Sequence, residues 1–265
     1  MPTGPGRAAA DDRREDLQTM TLLDHLEELR RRIVYALVAV VAGIAAAWSF
    51  RESIYGFLAR PIEPFLPEGK KLAFLGITDP FVIYFKMCAL VGIFAASPFL
   101  LYQVYAFVAP GLYRRERRWA FPFVASGTLF FVAGGAFAYT VAFPFAIEFL
   151  LGMGEPFEPV ITVQRYFGFL MTVILGLGLM FELPIVIFLL AAMGVVTPRF
   201  LLRHFRWAVL LIFVAAALIT PTPDVINLLI FALPTIALYL LGIAGAWLVT
   251  RAKRKQRERE ARETS

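Results

Sequence analysis

Residues 166–194 read YFGFLMTVILGLGLMFELPIVIFLLAAMG, an apolar run long enough to cross a bilayer that carries one carboxylate, Glu182, near its middle. At ~1.5 Å of rise per helical residue, Glu182 stands ~24 Å from Tyr166 and ~18 Å from Gly194. A carboxylate on so short a side chain cannot reach water from that depth, so it must face protein, a water-filled cavity or a groove. Burying it costs ~2.5–3.5 kcal/mol on insertion scales, which makes an intramembrane acid a functional candidate by default. Two residues on, Pro184 has no N–H, and the carbonyl of Met180 is expected to lose its helical partner at the same level. Two polar groups thus lie close together in an otherwise apolar span. A protonated glutamate that only glues helices together is the plainer alternative, but a neutral Gln or Ser would serve for that.

The rest of the chain is of the same kind. Hydrophobic residues make up 59% and charged residues 17%, against ~25% charged in an ordinary soluble domain. The long continuous runs exclude an alternating outer-membrane barrel, so the chain reads as an all-α polytopic membrane protein. Cys88 is alone, so there is no disulfide framework and no thiolate site. Of the two histidines, His25 sits in HLEEL, which lacks the second His of a zinc-protease motif. No metal, no cofactor and no nucleic-acid partner is expected.

Residues 1–20 have no apolar stripe and read as a disordered tail. Thr21–Arg32 puts Leu22, Leu26, Leu29 and Ile33 on one face, with Thr21 and Asp24 at capping-box spacing. It predicts a short amphipathic surface helix running into a first, uncleaved span, Ile33–Phe50. Glu27 and Glu28 fall four residues before Arg31 and Arg32, the spacing of ordinary helical ion pairs worth ~0.3–0.5 kcal/mol. Further spans are expected at Phe81–Val108, Trp119–Leu151, Tyr166–Gly194, Trp207–Ile219 and Val225–Val249, with proline kinks in several. The fifth run reaches only ~20 Å as a helix, short of a hydrocarbon core of ~30 Å. Arg251–Ser265 reads as a basic, solvated tail, leaving residues 21–250 as the membrane domain. Twenty of the 26 lysines and arginines fall on the side of the chain that holds both termini. By the positive-inside rule, six spans with N and C termini in the cytoplasm follow.

On that topology Glu28 and Glu116 are sparse acids on an arginine-rich cytoplasmic surface. Each is either a local neutraliser or a receptor for a cation, and a guanidinium, with two parallel N–H donors, is the cation a carboxylate binds best. A proton-coupled small-solute transporter with Glu182 as the proton carrier is a rival, but it would show internal repeats and several buried ionisable groups. An intramembrane protease would need a catalytic pair that is absent from the sequence.

Four motifs, HLEELRRRI at 25–33, SPFLLYQVYAFVAPGLYRRERR at 97–118, FELPI at 181–185 and TPTPD at 220–224, resemble those of the C subunit of the twin-arginine translocase, the TatC family. The resemblance implies a concave six-helix bundle in the cytoplasmic membrane. It implies a receptor, not an enzyme, for the twin-arginine signal peptides of folded preproteins. Export would be driven by the proton-motive force, and no nucleotide-binding loop is present. It implies a multimeric complex in membrane lipid with TatA- and TatB-type single-span subunits. Carried over by position, Glu28 and Glu116 match the acids that contact the paired arginines, with Arg30, Phe107, Leu112 and Arg118 around them. Glu182, followed by Pro184, matches an intramembrane polar position that lines a concave face and meets partner helices. Pro61 matches a proline of the first external loop and Asp224 the acid after the fifth helix. Two departures stand out: after Asp224 the chain reads VINLL where the family often has Ser-Gln, and Glu148 is an extra acid near the outer end of span three.

Overall fold

The computed structural model describes residues 22–66, 71–108, 120–154, 160–220 and 224–263. The expectation for residues 1–20, the Thr21 cap and the TPTPD prolines lie outside them. The all-α polytopic reading is borne out: five helical segments are long and apolar enough to cross a membrane, His25–Trp48, Asp79–Val108, Phe121–Gly152, Val163–Met193 and Val225–Leu248, joined by the shorter Phe205–Ile219.

Helix α1 (Leu22–Trp48) is one unbroken helix, so the amphipathic segment and the first span are a single rod. Its packing is chiefly against α3 (Asp79–Val108), and the two cross where Gly43 meets Gly92. A Cβ on Gly43 would stand 2.8 Å from the Gly92 carbonyl oxygen, so only glycine permits this approach. Much of the rest of α1, including Leu37, Val38 and Val41, is exposed, as befits a surface solvated by lipid.

Between them α2 (Arg51–Ala59) leads into a 3-10 segment, Arg60–Phe65, where Pro61 sits at the start and Ile62 is buried in the core. The hydroxyl of Tyr166 donates to the Leu58 carbonyl at 2.9 Å, pinning α2 over the bundle. The third span is α4 (Ala120–Phe137), a π turn at Ala138–Ala142 and α5 (Phe143–Gly152). Pro144 cannot donate back along the helix, and the preceding ladder slips so that the Phe143 N–H reaches the Ala138 carbonyl, a five-residue step.

The fourth span is where expectation and structure differ most usefully. It is two helices, α6 (Val163–Phe181) and α7 (Leu183–Met193), with Glu182 as the joint. Thr162 caps α6, and Phe167, Leu170, Val173, Ile174 and Leu177 place its apolar stripe at the centre of the core. Pro184 breaks the ladder as its missing N–H requires, yet the Met180 carbonyl is not left bare, because the cap N–H groups at the joint turn to Leu179 and Met180. Helix α7 ends on Gly194 at φ 80°, with Gly194 N–H on Ala191 and Val195 N–H on Leu190, a Schellman stop.

Thr197 caps α8 (Pro198–Arg203), which runs into α9 (Phe205–Ile219). At fifteen residues α9 spans ~22 Å, slightly more than its thirteen-residue apolar run suggests and still short of the hydrocarbon thickness. The last helix, α10 (Val225–Glu263), packs on α7 and passes the end of the apolar segment without stopping. The residues read as a solvated tail are therefore helical as far as Glu263.

Candidate functional site

The N-terminal part of α1 and the C-terminal part of α3 come together at one end of the bundle. His25 stacks on Phe107 with ring centroids 4.4 Å apart. One turn on, Glu28 is only 8% exposed although it lies on a helix whose other faces are open. Its Oε1 accepts from Arg32 Nε at 3.0 Å and also from Arg32 Nη2. Arg32 Nη1 in turn donates to Gln103 Oε1 of α3 at 3.3 Å. The i,i+4 pair legible in the sequence is thus real, and burial against α3 makes it more than a solvated surface pair. Glu28 Oε2 is buried and has no hydrogen-bond partner among the described residues. An unmatched charged oxygen of this kind costs ~1–3 kcal/mol or more unless something else supplies donors.

Of the other residues assigned to this site, Arg30 is exposed and Phe107 half-buried. Glu116, Leu112 and Arg118 lie outside the described residues. From sequence, Arg32 was read only as an ordinary helical ion-pair partner of Glu28, and Gln103 was not singled out. Gln103 was findable, since with Ser97 it is one of the few polar side chains in the second half of an apolar span, and it shares a helix face with Phe107 four residues on.

The intramembrane acid is deeper. Glu182 is 7% exposed, its Oε1 has no hydrogen-bond partner among the described residues, and its Oε2 lies 3.3 Å from where a Cβ on Gly127 of α4 would stand. The carboxylate is folded inward against α4 instead of standing on an open face. Pro184 is buried beside it, and Gly242 of α10 approaches the Pro184 backbone so closely that an added Cβ would be 3.2 Å from the proline Cα. Flanking the joint, Leu179, Met180 and Leu183 line a mainly apolar, open pocket of about 380 Å³ together with α9 and with Thr235 and Tyr239 of α10.

At the opposite end of the bundle from Glu28, Asp79 accepts from the Leu75 and Gly76 amides on Oδ2 and from Gln164 Nε2 at 2.8 Å on Oδ1. With the backbone bridge between Ala73 and Thr162 it ties the loop before α3 to the start of α6. Asp224 takes the Asn227 amide at 2.7 Å and the Asn227 side chain at 2.9 Å, capping α10. Asn227 itself is 1% exposed. Glu148 is exposed on α5.

A family model, the Sec-independent protein translocase protein (TatC), matches residues 24–234. The chain belongs to the TatC family. Among TatC relatives, that of Koribacter versatilis is 47% identical over 94% of this chain and 93% of its own length. That of Desulforapulum autotrophicum is 37% identical over 91% of this chain and 89% of its own. A crystal structure of the twin arginine translocase receptor TatC superposes with a TM-score of 0.74 at 35% identity, covering 85% of this chain and 99% of that one. The resemblance stated from four motifs therefore extends through most of the TatC fold, and these matches support protein translocation rather than solute transport. As a TatC-family member the chain is a multi-pass component of a Tat translocase.

Proposed function

We propose that this chain is the receptor and core subunit of a Tat translocase in the cytoplasmic membrane, with both termini in the cytoplasm. It captures the twin-arginine signal peptide of a folded preprotein and hands the preprotein on for export driven by the proton-motive force. The observation that carries the reading is the buried Glu28 carboxylate where α1 and α3 meet, paired with Arg32 on one oxygen and without a donor among the described residues on the other. A guanidinium supplies two parallel donors to such an oxygen pair, whereas an ammonium offers a single point of charge. Glu28 and Glu116 each take one arginine of the peptide, and Arg30, Phe107, Leu112 and Arg118 shape the surface around them. The peptide's apolar segment lies along the exposed flank of α1. Glu182 and the short α9 serve the single-span TatA- and TatB-type subunits, for which a helix that underspans the bilayer offers a locally thinned edge.

The test is a cross-linking assay with the purified chain and two synthetic signal peptides, one bearing Arg-Arg and one Lys-Lys. Glu28→Gln and Glu116→Arg should each lower Arg-Arg capture about 10- to 100-fold, the worth of one charge-assisted hydrogen-bonded pair. Lys-Lys capture should stay at its weak baseline. Undiminished Arg-Arg capture in both variants would remove the receptor reading.

A further inference from the structure

Glu28 is not an empty receptor. Its Oε1 is doubly engaged by Arg32, through Nε and Nη2, while Oε2 is buried with no hydrogen-bond partner among the described residues, and Arg32 also keeps a second, neutral acceptor in Gln103. This is a forked contact on one oxygen, not the two-oxygen pairing that makes guanidinium recognition strong. We propose that Arg32 is a resident guanidinium that occupies Glu28 between peptides, and that Gln103 is the acceptor onto which it withdraws when an arginine of the signal peptide takes the carboxylate. The inference rests on the receptor reading above and adds to it the source of the discrimination between arginine and lysine.

The chemistry follows from exchange of like for like. A ligand gains both oxygens of Glu28 only by displacing Arg32, so a ligand that can replace the Arg32 contact takes the whole carboxylate and one that cannot is left beside it. A guanidinium replaces what it displaces and adds the second oxygen, so the exchange is favourable. An ammonium has no planar fork, cannot match the resident, and is left with Oε2 alone beside a like charge. Gln103 makes the exchange cheap, because Arg32 Nη1 is already 3.3 Å from its carbonyl oxygen and the departing guanidinium is never without an acceptor. Gln103 is 7% exposed and the Arg32 side chain 19%, so water is a poor substitute for that acceptor. Both are positioning residues, acting on the peptide through Glu28.

The experiment measures binding of fluorescent Arg-Arg and Lys-Lys signal peptides to the full chain in lipid nanodiscs, and reads the ratio of the two affinities. The ratio is the proper readout because Arg32→Gln also removes one positive charge, which favours both cationic peptides alike. With Arg32→Gln, Lys-Lys affinity should rise about tenfold more than Arg-Arg affinity, since the ammonium gains the second oxygen and loses the like charge beside it, whereas the guanidinium already had both oxygens. With Gln103→Leu, Arg-Arg binding should weaken several-fold while Lys-Lys binding stays at baseline. Arg32→Lys keeps the charge and should give an intermediate ratio, and it carries the test should Arg32→Gln fail to fold. An unchanged ratio, or an equal loss for both peptides, in the folded Arg32 variants overturns the proposal while leaving Glu28 as a receptor. If Glu28→Gln in the same assay leaves Arg-Arg binding intact, it is the receptor reading that fails.

Discussion

The geometry of the Glu28 site is set ~22 Å away, at the crossing of α1 and α3. Glu28 lies fifteen residues before Gly43 on one helix, and Gln103 eleven residues after Gly92 on the other, ~16 Å at helical rise. A methyl group on Gly92 would meet the Ile44 amide nitrogen at 2.8 Å and the Gly43 carbonyl carbon at 3.0 Å. Both are backbone atoms that cannot rotate away, so ordinary contact at ~3.5–4.0 Å is regained only if the helices part by ~1 Å. Overpacking of this sort costs ~1–3 kcal/mol, here as lost α1–α3 contact. The Arg32–Gln103 hydrogen bond, at 3.3 Å already near the limit, does not survive an added ångström. Gly92→Ala should therefore lower the thermal midpoint of the detergent-solubilised chain and reduce Arg-Arg peptide affinity about tenfold, although no substituted atom is near the peptide. Gly43→Ala should do the same, and the double variant should cost less than the sum, because one separation relieves both clashes. Ala46→Leu, on the exposed face of α1, is the control and should do neither. Wild-type peptide affinity in a folded Gly92→Ala chain would refute the idea that this crossing sets the site.

Two further predictions concern the polar ties at the helix ends. Asp79→Ala removes acceptors for two amides and for Gln164, and should destabilise the chain by ~1–3 kcal/mol in denaturant or thermal unfolding, with Gln164→Ala costing less and adding little on top. Asp224→Ala removes the cap of α10 and should cost ~0.5–2 kcal/mol, with Asp224→Asn largely restoring it, as measured by hydrogen exchange at the first turn of that helix.

How much of this was legible in the sequence depended on whether the signal was local. Span positions, the short α9 and the break near Pro184 all follow from runs of apolar residues and from a ring that cannot donate. The continuity of α1 was harder, because the change from amphipathic to wholly apolar pattern marks where the surroundings change, not where a helix ends. The extension of α10 to Glu263 was missed for a related reason: a run of Lys, Arg and Glu without an apolar stripe resembles a solvated tail, yet those residues are good helix formers and here continue a helix already nucleated by packing. The π turn before Pro144 was read only as a proline effect, since a slipped ladder and a kink carry the same sequence mark.

The site itself was half legible, and the missing half changes its meaning. Spacing gave Glu28 four residues before Arg32, and on a free helix surface that pairing is a few tenths of a kcal/mol with no consequence. What spacing could not give is the contact across the chain, seventy-one residues away, that buries the pair against Gln103. Burial raises the cost of the unfilled Oε2 and at the same time strengthens whatever fills it, since the same loss of water acts on both terms. Glu182 repeats the pattern at depth, with a bare Oε1 and an Oε2 facing α4 at Gly127. Neither Glu28 Oε2 nor Glu182 Oε1 finds a donor among the described residues. A chain that leaves two buried carboxyl oxygens without a donor is less stable than one with apolar residues of the same size there. Donors from another polypeptide would recover that cost, the condition a receptor meets when its ligand arrives.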